Sequence, residues 1–89
     1  MNYSNIKECC DYILIRICMV LKYNLKKFDT LLYKNKISNN YIIQIMIYDK
    51  NKKYTFKLEI NKIKSKDQIE NLLNSLLDKI ENNIFIKNY

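Results

Sequence analysis

Three cysteines, Cys9, Cys10 and Cys18, carry the only thiols in this 89-residue sequence, and histidine is absent. Without an imidazole there is no histidine base, no Ser–His or Cys–His pair and no histidine metal ligand. On a helix Cys9 and Cys10 point about 100° apart, so they cannot bridge each other without strain. The same divergence prevents them from closing a tetrahedral zinc site with Cys18 and a carboxylate. An odd number of cysteines is not a disulfide framework. Reduced thiols used as small core hydrophobes are therefore expected, with an intermolecular disulfide or a redox sensor as the alternative.

Carboxylates are the remaining candidates. Glu8 and Asp11, and Asp67 and Glu70, each lie one helical turn apart, where a pair of carboxylates could support acid–base chemistry. The first pair reads as a solvated helix face, the second as acidic residues placed where a helix N-terminus favours negative charge. Glycine is absent too, which removes the phosphate-cradling loops of nucleotide-binding proteins. The expectation is a non-enzymatic protein with no catalytic residues, no cofactor, no metal and no small-molecule substrate.

The elements that would position any functional side chain must fit one hydrophobic core, because 89 residues leave room for a single domain, 1–89. Hydrophobic residues make up 48% of the chain, too many for a disordered segment. Ile, Lys, Asn and Tyr account for 51 of the 89 residues, whereas Gly, Pro, Trp and His are missing. The abundant four are encoded by A/T-rich codons, so the skew reads as an AT-rich genome, such as a low-GC bacterium, its phages or an organelle. The net charge of +7 therefore has two readings, an anionic partner or codon bias.

Ser4 is placed to cap a helix running to about Tyr23. Ile6, Cys10, Ile13, Leu14, Ile17, Val20 and Leu21 form its apolar stripe, and Asn24 is the expected left-handed residue after its end. The other side of this helix carries Tyr12, Ile15, Met19 and Tyr23. Residues 25–34 read as a strand with Phe28, Thr30 and Leu32 on one face, although Leu25, Phe28 and Leu32 also fit a short helix. Residues 41–48 form a strand apolar on both faces, which must be covered on both sides or packed against a partner. A polar turn at 49–53, with Asn51 at positive φ, leads into a half-exposed strand at 54–61. Ser65 and Gln68 make a capping-box pattern for a helix to about Asn82. The apolar tail 84–86 has three possible fates: docking on the core, adding an edge strand or reaching a partner. The fold class is thus α+β, a helix, a three-stranded antiparallel sheet and a helix (αβββα), with an αααββα-like variant if 25–34 is helical.

No signal peptide or membrane span is expected, since Asp11 and Arg16 interrupt the early apolar run, which is about half the length a bilayer requires. A cytoplasmic location follows, in the host cell if the gene is phage-borne.

Function then falls to surfaces. The first candidate is protein binding, to another protein or to itself as a homodimer, through Tyr12, Ile15, Met19 and Tyr23 and the doubly apolar strand. A small AT-rich basic protein of this kind fits a phage or mobile-element accessory product, for example an inhibitor of a host defence complex that acts by occluding a surface. The alternative is backbone-directed nucleic-acid binding. Residues 49–66 carry seven basic and two acidic side chains, and Lys50, Lys52, Lys53, Lys57, Lys62, Lys64 and Lys66 would form the patch. Tyr48 and Tyr54 would stack on bases. A single arginine in the chain argues against base-edge reading.

Overall fold

Asn5, not Ser4, caps the first helix. Both the amide and the hydroxyl of Ser4 donate to Asn2 Oδ1, at 3.0 and 2.6 Å, so that side chain is engaged in a local turn. Asn5 Oδ1 accepts from the Glu8 amide at 3.2 Å instead, and helix α1 runs from Ile6 to Tyr23. The computed structural model describes residues 2–85 of the chain.

The left-handed position after α1 also falls one residue later than expected. Asn24 has φ −90°, and Leu25 takes the positive value of 56°. The reason is the hydrogen-bond pattern: the Lys26 amide reaches Leu21 O and the Leu25 amide reaches Lys22 O, both at 3.0 Å. This paired closure requires the left-handed residue at Leu25. Asn24 contributes its side chain, Nδ2 donating to Val20 O at 2.8 Å.

Residues 27–34 form strand β1 (Lys27–Lys34), so the variant with a short second helix is not adopted. Strands β2 (Tyr41–Asp49) and β3 (Lys52–Ile60) follow. The sheet is antiparallel throughout, in the order β1-β2-β3. The β2–β3 hairpin is tighter than the sequence suggests, because Asp49 already pairs with Lys52. Its two connecting residues, Lys50 and Asn51, both have positive φ (51° and 66°), the geometry that matches the twist of the strands it joins.

Helix α2 spans Lys66–Ile80, capped by Ser65, whose hydroxyl accepts from the Gln68 amide at 3.3 Å. The Gln68 side chain reaches past the cap residue. It accepts from the Lys64 amide at 2.8 Å and donates to Lys62 O at 3.0 Å. A single π-helical turn, Glu81–Phe85, continues the helix, and Ile84 in it is 1% exposed. The start of the apolar tail therefore docks on the core; Ile86 lies outside the described residues.

The result is two layers. Both helices lie on one face of the sheet, and the core fills the space between. Ile43, Ile45 and Ile47 of β2 meet Cys10, Ile13, Ile17 and Leu21 of α1 and Ile69, Leu73, Leu76 and Ile80 of α2, all buried. Each such side chain contributes roughly 1.5–3 kcal/mol on burial. Helix α1 lies over β1 and β2, and α2 over β3.

Candidate interaction surface

Strand alternation sends every second residue to the face away from the helices. Register aligns these residues in four rows across the sheet: Lys27, Tyr48 and Lys53; Asp29, Met46 and Thr55; Leu31, Gln44 and Lys57; Tyr33, Ile42 and Glu59. No element among the described residues covers this face. The expectation that β2 is central and apolar on both sides holds for its position, but only one side is packed. Leu31 is half exposed, and Tyr33 and Tyr48 are a little over one-third exposed. Ile42 and Met46 are half-buried by their neighbours on the sheet.

Two hydrogen bonds fix the aromatic groups of this face. Tyr48 OH donates to Asp29 Oδ2 at 3.1 Å, and the adjacent carboxylate pushes the Tyr48 phenol pKa above its ordinary value. Tyr33 OH donates to Gln44 Oε1 at 2.9 Å. At the other corner Glu59 accepts from Ser38 Oγ at 2.7 Å and Asn40 Nδ2 at 2.8 Å, bonds that hold its carboxyl below the usual range. The open face thus carries apolar and aromatic side chains along β1 and β2, interrupted by Asp29 and Gln44, with a basic row at one end and Glu59 at the other end of β3.

The outer side of α1 is a smaller feature. Ile15, Met19 and Tyr23 are exposed, by 60%, 63% and 84%. Tyr12 departs from them. It packs against the core and donates to Glu70 Oε2 at 2.7 Å; Arg16 bonds to Tyr12 OH and sits 3.4 Å from Glu70 Oε2. This triad seams α1 to α2, a role for Glu70 that no local spacing revealed; of the expected acidic pair only Asp67 lies in the first turn of α2.

The lysine set expected from 49–66 does not form one patch. Lys50, Lys52 and Lys53 sit at the hairpin tip, and Lys57 lies midway along the open face. Lys62, Lys64 and Lys66 follow the far end of β3, about 27 Å away along the strand, two of them lending backbone groups to the α2 cap. Tyr48 and Tyr54 do not act together either, because Tyr54 pairs with Ile47 on the helix-facing side and packs on the core. In place of the long patch there is a groove of about 620 Å³ at the hairpin end, lined by Leu25, Lys26, Lys27, Tyr48, Asp49, Lys50, Asn51, Lys52 and Lys53. Lys26 and Lys27 come from the end of the α1–β1 connection and the start of β1, about twenty-five residues from the hairpin in sequence; only folding brings them there.

The thiols behave as core groups. Cys9 and Cys10 are fully buried and Cys18 half-buried. Burial, with Cys9 and Asp11 beside it, pushes the Cys10 pKa up to about 11. Among the described residues no group of three or more Cys, Asp or Glu side chains is placed to hold a metal ion, and no helix is long and apolar enough to cross a membrane. No protein-family model matches the chain, and no curated protein or solved structure is significantly similar to it.

Proposed function

We propose that this protein is a non-enzymatic protein-binding module that works by laying the open face of its sheet against a partner. The observation that carries the reading is the second apolar face of β2. Ile42, Met46 and Tyr48, with Leu31 and Tyr33 beside them and Gln44 between Ile42 and Met46, lie on a face that no described element covers. Central strands with two apolar faces ordinarily have both packed, and exposed apolar patches rimmed by charge mark interaction sites. Composition supports the setting: a small basic accessory or inhibitor protein of a phage or mobile element, acting in the cytoplasm by occlusion.

Capture from a nuclease-treated lysate of the host, using wild type, Met46→Glu and Met19→Glu, tests this assignment. Wild type and Met19→Glu retain the partner and Met46→Glu loses it. Equal retention by all three would sink the reading, as would no retention by any together with a wild type that stays monomeric in solution.

The hairpin-end groove favours a second reading, backbone-directed nucleic-acid binding, because five lysines from two connections line it beside the Tyr48 ring. In that case a labelled oligonucleotide binds at 50 mM salt and weakens steeply toward 200 mM. Lys52→Glu/Lys53→Glu removes the binding. Absence of binding at low salt disposes of it.

A further inference from the structure

We infer that the occupant of the open sheet face is a second copy of this chain, packed face to face with its strands reversed. This rests on the protein-binding reading and names its partner. The argument starts from the placement of charge. Lys53 and Glu59 lie on the same face of β3, at opposite ends. Lys53 forms no ion pair among the described residues.

Two twofold arrangements bring such faces together with strands aligned, as packed sheets prefer. An axis parallel to the strands sets β1 over β3 of the other copy, with equivalent rows facing. Lys27 then meets Lys53 of the second copy, twice by symmetry, and like charges placed together are costly. An axis perpendicular to the strands sets β3 over β3 with its direction reversed. The first row then faces the fourth, so Lys53 meets Glu59 of the second copy, again twice. Tyr48 covers Ile42 of the second copy, and Met46 and Gln44 meet near the axis. Both arrangements lay β2 over β2 of the second copy, but only the second sets opposite charges, Lys53 and Glu59, against each other.

Three strands spaced about 4.8 Å apart and about 27 Å long give a face of roughly 400 Å² in plan. A standard interface takes about 800 Å² of accessible surface per partner. The contact therefore belongs to the smaller, reversible class.

Sedimentation velocity from about 5 µM to about 500 µM tests it, with circular dichroism confirming that each variant is folded. The wild-type mass rises from 10.9 kDa toward twice that value. Lys53→Glu and Glu59→Lys each weaken self-association by about tenfold or more, and the double variant restores it. Mixing the two single variants yields a heterodimer, because every Lys53–Glu59 contact is then an opposite pair. If Glu59→Lys disturbs the loop that Ser38 and Asn40 belong to, Lys53→Glu and Met46→Glu carry the test, both expected to be monomeric. A wild type that stays at 10.9 kDa throughout overturns the dimer, as does unchanged association of Lys53→Glu. A monomer that still captures a partner through Met46 overturns the dimer alone; a monomer without capture removes the protein-binding reading too.

Discussion

Lys26 Nζ lies 3.0 Å from Asp49 Oδ1, an ion pair that ties the α1–β1 connection to the β2–β3 hairpin. Both side chains are about four-fifths buried, so the pair is shielded more than a surface salt bridge and its rupture leaves a poorly solvated ammonium. Asp49→Asn is expected to lower stability by about 1–2 kcal/mol, a fall in Tm of several degrees for a domain of this size. Thermal unfolding followed by circular dichroism measures it. Among the groove's lining side chains five are lysines and one is an aspartate, so the same substitution raises the local charge from +4 to +5. Any oligonucleotide binding there should tighten at low salt and fall more steeply as salt is added.

Leu25 occupies a left-handed position at 91% exposure. A residue with a Cβ costs roughly 1–2 kcal/mol there, while glycine, though more flexible when unfolded, adopts it freely. Leu25→Gly is therefore expected to stabilise the protein by about 0.5–1 kcal/mol, with a higher urea midpoint and an unchanged m-value. No change, or a loss, would show that Leu25 contributes packing that its exposure conceals.

Adjacent residues of β2 should behave in opposite ways. Ile45 is fully buried between the sheet and the helices, so Ile45→Ala costs about 2–5 kcal/mol, a large part of a total near 5–15 kcal/mol. Met46, one position along, points to the open face. Met46→Glu is expected to cost under about 1 kcal/mol yet abolish association through that face. Denaturation and sedimentation of the two variants separate the effects.

Cys10 sets an alkaline limit. Its folded pKa, raised from the ordinary 9.0 to about 11 by burial and by the neighbouring Cys9 and Asp11, means the fold favours the protonated thiol. That contribution is fully present below about pH 9 and is lost as pH rises through about 11. The difference in unfolding free energy between wild type and Cys10→Ala should shrink over this window, which isolates it from tyrosine and lysine titration. At pH 8 a thiol reagent should modify half-buried Cys18 before the two buried cysteines.

Most of the element order was legible because those segments carry a period that one structure satisfies; residues 25–34 fitted a strand or a short helix, and pairing with β2 decided for the strand. Isoleucine every second residue in 41–48 and leucine at helical spacing in 69–80 leave little choice of element. Details at the helix ends were not legible. Ser4 and Asn5 are both good caps, and a bond between Ser4 and Asn2 decided between them. Asn24 is the better left-handed residue by type, yet the backbone bonds to Leu21 and Lys22 put that geometry on Leu25.

Surface function divides the same way. The sequence alone determined that β2 has two apolar faces and that lysine is abundant near it. Tertiary structure decided that both helices cover the same face, leaving Ile42, Met46 and Tyr48 open. It also decided which charges are neighbours. Lysines contiguous in 49–66 are separated by the length of β3, while Lys26 and Lys27 join the hairpin tip from across the sheet. Local periodicity sets which way a side chain points; only strand pairing and layer packing set what it meets.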